Sequence, residues 1–168
     1  DPGTWYIAVE FGERDERKGN TENPYNLTTL SRGPLLEEKE PNDSLEHATV
    51  IMTGEEIRGY YSPAVNRLNE TGEVPAREED WYRLTLPEDG EPLQILKITL
   101  EGVPGVNGIL HVYAPDGTLQ MVADTGETGQ GEIIEGMSVQ RGAYCYLMIC
   151  SRNFNSSTEP YTLMTGAG

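Results

Sequence analysis

The sequence predicts an all-β domain: an antiparallel, jelly-roll-like β-sandwich of about eight strands, with an extra N-terminal hairpin. Three observations carry this. The 168 residues include 19 Gly and 11 Pro, which supply the frequent turns an all-β chain needs. Short runs rich in aromatic and β-branched residues recur between Gly, Pro, Asn and Asp clusters. Stretches with helical periodicity are almost absent, and the chain is long enough to bury a core without disulfide staples.

In chain order the expected strands are Thr4–Phe11, Tyr25–Leu30, Glu55–Tyr61, Trp81–Leu86, Leu93–Leu100, Gly108–Ala114, Thr118–Ala123, Glu132–Glu135, Ala143–Cys150 and Tyr161–Thr165. Trp81, Arg83 and Thr85 alternate with Tyr82, Leu84 and Leu86, the period-two pattern of a half-buried strand. Leu93–Leu100 alternates in the same way, with Leu96, Ile98 and Leu100 on one face. Ala114-Pro115-Asp116-Gly117 reads as a hairpin turn in which Pro presets φ and Gly takes φ > 0. Asp43–Ala48 is expected to form one helical turn capped by Asp43 or Ser44. Ser62–Glu79, long and polar, reads as an exposed mobile loop.

An internal repeat suggests the domain organisation. Gly3-Thr4-Trp5-Tyr6-Ile7-Ala8-Val9 is followed by Pro24-Tyr25-Asn26-Leu27-Thr28, and Gly142-Ala143-Tyr144-Cys145-Tyr146-Leu147-Met148 by Pro160-Tyr161-Thr162-Leu163-Met164. From Gly to Pro the spacing is 21 residues (3 to 24) in the first copy and 18 (142 to 160) in the second. Residues 1–33 are therefore expected to be the last hairpin of a truncated preceding repeat, and residues 36–168 a complete module, joined through Ser31-Arg32-Gly33-Pro34. An isolated hairpin is marginal in water and exposes strand edges. Self-association through this N-terminal hairpin is expected on that ground.

The net charge is −16, from 28 acids against 12 bases. Such a surface repels phosphate backbones and anionic headgroups, which excludes nucleic acid and lipid surfaces as main partners. It is either a solvated surface or one with carboxylates gathered around cations, and charge alone does not separate the two. No apolar run is long enough for a membrane span. Cys145 and Cys150 fall in one strand-like run, about 16 Å apart if extended, so they are expected to remain buried free thiols.

Glu38-Lys39-Glu40-Pro41-Asn42-Asp43-Ser44, with Ala48 shortly after, resembles the opening of bacterial pre-peptidase C-terminal domains. Glu78-Glu79-Asp80-Trp81-Tyr82-Arg83-Leu84 resembles their Asp-x-Asp-Trp-Tyr-x-Leu strand, with Glu78 where the family more often has Asp. Gly142-Ala143-Tyr144 with Tyr161-Thr162-Leu163 resembles their closing strand pair. These landmarks span about 38–165. The resemblance implies a β-sandwich appended to exported proteins, usually non-catalytic, in which the N-terminal acidic stretch and the Asp-x-Asp loop jointly bind calcium. Carried over by residue, Glu38, Glu40, Asn42 and Asp43 form the first ligand group, and Asp80 with Glu78 the second. The chemistry agrees: calcium takes six to eight oxygen ligands, and Glu38, Glu40 and Asn42 at i, i+2, i+4 share one side of an extended segment.

Other sites carry less. His47 and His111 are the only histidines, and no Gly-x-Ser-x-Gly, His-Glu-x-x-His or phosphate-loop pattern accompanies them. Tyr60, Tyr61, Trp81, Tyr82, Tyr113, Tyr144, Tyr146 and Tyr161 make the module rich in aromatics; alternation buries about half of them and leaves the rest for an exposed sheet face. The functional expectation is a non-catalytic, calcium-stabilised accessory module of an exported bacterial protein. It would be extracellular, periplasmic or on the cell surface, covalently linked to neighbouring domains, and a binder of a protein or polysaccharide. The alternative is a structural spacer with no ligand besides calcium.

Overall fold

The computed structural model describes residues 35–63, 65–69, 72–89 and 91–167, with backbone only for residues 65–69, 72–76 and Ala167. The expected strands Thr4–Phe11 and Tyr25–Leu30, and with them the hairpin, repeat and self-association expectations for residues 1–33, lie outside the described residues.

Among the described residues, twelve strands and one 3-10 turn follow in order: β1 Leu35–Glu37, the turn Leu45–His47, β2 Thr49–Met52, β3 Glu56–Gly59, β4 Val65–Asn69, β5 Gly72–Ala76, β6 Glu79–Thr85, β7 Leu93–Leu100, β8 Gly108–Tyr113, β9 Leu119–Ala123, β10 Glu132–Gln140, β11 Tyr144–Ser151 and β12 Tyr161–Ala167. They form two five-stranded sheets, β1-β3-β12-β7-β10 (sheet I) and β2-β6-β11-β8-β9 (sheet II), and a separate β4-β5 ribbon. One continuous core joins the sheets: Ile57, Leu96, Ile98, Leu100 and Leu163 from sheet I meet Ile51, Leu84, Leu110, Val112, Leu147 and Ile149 from sheet II. The alternation in β6 and β7 puts Tyr82, Leu84, Leu96, Ile98 and Leu100 in that core, as their spacing predicts. At the β8–β9 turn Gly117 takes φ +82°, and Thr118 N–H donates to Asp116 Oδ1 at 2.9 Å.

Three features differ from the sequence expectation. The sandwich is mixed, because the edge strands β1 and β2 run parallel to β3 and β6. These two strands have three and four residues, too few to show a period. β10 runs on to Gln140 past a register shift between Glu135 and Met137, which breaks the alternation in the sequence. The stretch expected as a loop, Ser62–Glu79, contains the β4–β5 hairpin in register from Val65↔Ala76 to Asn69↔Gly72. Pro75 disguised it; a two-stranded ribbon has free edges on which a missing N–H is tolerated.

The helical turn stands at Leu45–His47, with Ser44 at its N-cap position. The Ser44 hydroxyl lies 3.0 Å from His47 Nδ1 and caps no backbone N–H. Cys145 and Cys150 are both free and buried, in separate apolar clusters. Burial pushes the Cys145 thiol up to about 11. Among the described residues no helix is long and apolar enough to cross a membrane.

Candidate metal centre

The stretch after β1 is stitched to both sheets by its backbone. Glu38 N–H donates to Arg58 O of β3 at 2.9 Å, and Trp81 N–H of β6 donates to Asn42 O at 2.9 Å. These two bonds bring Glu38–Asp43 over the start of β6, where Asp80 occupies the second position and Glu78 immediately precedes the strand.

The two acidic strips meet. One carboxylate oxygen each of Glu38, Glu40 and Asp80 lie within 4.8 Å of one another, and so do oxygens of Glu40, Asp43 and Glu78. Two oxygens bound to one calcium at about 2.3–2.6 Å are at most about 5.2 Å apart, so both triads have the span of a cation site. Glu78 reaches Glu40 and Asp43 despite carrying one methylene more than Asp. Asn42, the sixth residue of the expected set, is fully buried, and its Oδ1 and Nδ2 have no protein partner. Its backbone N–H donates to Glu40 Oε2 at 3.0 Å.

The floor of the site is made by two residues whose role the sequence did not reveal. The Tyr161 hydroxyl donates to Asp80 Oδ2 at 2.6 Å, and the Tyr82 hydroxyl donates to Glu38 Oε2 at 2.8 Å. The two phenol oxygens are 2.6 Å apart, and Tyr161 Oη lies 3.2 Å from Glu38 Oε2. Four close oxygen contacts thus share two hydroxyl protons. Glu38 Oε1 accepts from Tyr60 N–H at 2.7 Å, and Glu78 Oε2 from Ser62 N–H at 3.3 Å. Gly59 is required by close approach: a Cβ there would collide with the Tyr161 hydroxyl and Glu38 Oε2. Alternation placed Tyr82 on the buried face, and a buried phenol needs a partner for its hydroxyl. That its partner is an acidic cluster depends on register between sheets.

Electrostatically the cluster is short of positive charge. Burial pushes the Asp80 carboxyl up to about 10, with the Glu38 and Glu78 charges adding to the shift. Burial also raises Glu38, against the hydrogen bonds from Tyr82 and Tyr60, and it raises Glu78. Asp80 Oδ1 is buried and meets no donor. Such a cluster holds either extra protons or a cation. The donor set is oxygen only, which suits a hard cation, and the unpartnered Asn42 Oδ1 and Asp80 Oδ1 are acceptors left for one. The residues present fit calcium.

No protein-family model matches the chain, and no curated protein matches its sequence. Solved structures do. The pre-peptidase C-terminal domain of a collagenase from Bacillus anthracis aligns with a TM-score of 0.51 at 12% identity, covering 76% of this chain and 99% of that domain. The chain has the pre-peptidase C-terminal fold. The insecticidal delta-endotoxin Cry8Ea1 of Bacillus thuringiensis aligns over 71% of this chain but only 25% of its own, with a TM-score of 0.29. At that score the second likeness carries no argument. The alignment spans nearly the full length of that domain, so the two share the sandwich fold. In it the residues of the sequence resemblance, Glu38 to Asp43 and Glu78 to Asp80, occupy a single end of the sandwich.

Proposed function

We propose that the chain is a non-catalytic accessory module of an exported bacterial protein, in which calcium locks the segment that follows β1 onto β6. The observation that carries this reading is the meeting of two acidic strips around buried acceptors that no donor satisfies. Glu38, Glu40, Asp43, Glu78 and Asp80 supply carboxylates, and Asn42 an amide oxygen. When bound, the cation supplies positive charge that offsets repulsion among these groups. Tyr82 and Tyr161 hold Glu38 and Asp80 in place, and Gly59 leaves room for them. The likeness to a collagenase's pre-peptidase C-terminal domain supports an accessory role beside other domains, outside the cytoplasm.

Thermal melting with calcium or a chelator tests it, on the native chain and on the double variant Glu40→Ala, Asp80→Ala. A ligand at about one hundred times its Kd stabilises by about 2.7 kcal/mol, and in a domain of this size each kcal/mol moves Tm by about 2–4 °C. Calcium is expected to raise the native midpoint by about 5–10 °C and to leave the double variant unmoved. Equal midpoints for the native chain in both conditions would sink the proposal.

A further inference from the structure

Among the described residues the two flanks of the sandwich differ. On one flank the edge strands β9 and β10 pack against each other. On the other the edge strands β1 and β2 border a cleft of about 600 Å3. Its floor is apolar, formed by Leu36, Val50, Met52 and Ile57. Ile57 belongs to the core, while Val50 is 60% exposed. Its rim carries Glu37, Glu40 and Glu55 against Lys39 and the His47 imidazole. Both bordering strands also direct backbone groups away from their own sheets. Met52 N–H donates to Glu55 Oε2 at 2.7 Å, and Met52 O accepts from Glu55 N–H at 3.1 Å. Met52 therefore faces away from β6, and the alternation of a strand turns Val50 the same way. Glu38 N–H is spent on Arg58 of β3, which turns the N–H and C=O of Glu37 outward.

We infer that this cleft binds an extended segment of a partner protein in which apolar and basic residues alternate. The inference rests on the accessory-module reading and gives that module a partner class. Three observations select the occupant. Outward backbone groups at Val50 and Glu37 suit a chain in strand conformation, which pairs with a sheet edge through its main chain. Successive side chains of such a chain point to opposite sides, so one set covers Leu36, Met52 and Ile57 while the other meets the rim. The acids of the rim, within a net charge of −16, attract a basic set and repel both an acidic segment and a second copy of this chain. Of the residues at the metal centre only Glu40 lines the cleft, so the two sites are read independently.

The test is titration of the whole chain, with calcium present, against labelled blocked peptides of equal length, followed by fluorescence anisotropy. One peptide alternates valine and lysine, a second valine and glutamate, a third serine and lysine. The valine–lysine peptide is expected to bind with a Kd of about 0.1–1 mM, at least about tenfold more tightly than either of the others. Glu37→Lys is expected to weaken it by about three- to tenfold. Val50→Pro removes an N–H that points away from β6, and Val50→Ser keeps the backbone but removes apolar floor; each is expected to weaken binding by about threefold or more. Glu127→Lys makes the same change of net charge in the loop between β9 and β10 and leaves binding unchanged. Near-UV circular dichroism and sedimentation check that each variant is folded and monomeric. Equal binding of the two lysine peptides, or an equal loss in Glu127→Lys, reduces the attraction to general charge and overturns the inference. Equal binding of the two valine peptides overturns it by making the cleft merely apolar. Absence of binding overturns it as well, and so does self-association of the native chain that Val50→Pro abolishes, which would give the cleft to a second copy. Because calcium melting is read separately, failure here is distinguishable from failure of the accessory-module reading.

Discussion

Asp80 and Glu132 are both fully buried carboxylates at strand starts, and their surroundings are opposite. Glu132 Oε1 accepts from Gly126 N–H at 2.7 Å, and Oε2 from Thr125 N–H at 3.1 Å and the Thr125 hydroxyl at 3.4 Å. Its charge is matched by donors of the loop it organises. Asp80 receives one phenol hydroxyl, leaves Oδ1 without a donor, and faces Glu38 and Glu78. Burial of a carboxylate is therefore no pointer to function by itself. The pointer is burial in which acceptors outnumber donors, because such a site is completed only by something added to it.

The largest effect expected from breaking this contrast is at Glu132. Glu132→Ala orphans two backbone N–H groups and a hydroxyl, and is expected to cost about 2–4 kcal/mol. The loss should be the same in calcium and in chelator, since Glu132 belongs to neither acidic triad. Chemical denaturation in both conditions checks this; a calcium-dependent loss would join Glu132 to the metal centre.

Asp80→Asn is expected to behave in the reverse sense. It abolishes the calcium increment, yet in chelator it costs less than about 1 kcal/mol or stabilises, because a neutral amide needs no proton taken up where burial and like charges oppose a carboxylate. The same contrast has a pH signature. The folded Asp80 carboxyl titrates at about 10 against an ordinary 3.8. Between those values the folded chain binds a proton that the unfolded chain releases. Stability in chelator is therefore full below about 3.8 and falls as pH rises, at up to about 1.4 kcal/mol per pH unit for one proton. Calcium competes with that proton, so its stabilising effect grows with pH. Melting in chelator and in calcium from about pH 5 to about pH 8 should show the two curves diverging for the native chain and lying together for Asp80→Asn.

What was legible in the sequence follows from how local each signal is. β6 and β7 announce themselves by alternation, and Pro115-Asp116-Gly117 announces the β8–β9 turn. β1 and β2 are recognisable only through the strands they join, since parallel pairing needs a distant partner and leaves no hairpin turn between neighbours. The centre divides in the same way. Glu38 and Glu40 alternate in one extended segment, so their meeting could be read directly. Tyr82 and Tyr161 are 79 residues apart and come from opposite sheets, so their 2.6 Å contact under the carboxylates is a property of the packed sandwich alone.

Tyr161→Phe gives the smallest expected effect and the finest test of the contrast. It keeps the ring that packs against Tyr61 at 4.9 Å between centroids, and removes only the hydroxyl. If that hydroxyl merely filled space, stability and calcium response would both be unchanged. As a donor to Asp80 Oδ2 it should contribute about 1 kcal/mol in chelator. In calcium its loss should weaken binding a few-fold without abolishing it, because Asp80 keeps its carboxylate and loses only the group that orients it. Calcium titration by calorimetry separates these outcomes. An unchanged Kd would assign Tyr161 to the core and leave orientation of Asp80 to β6 alone, whereas complete loss of binding would make the phenol oxygen itself part of the cation's shell.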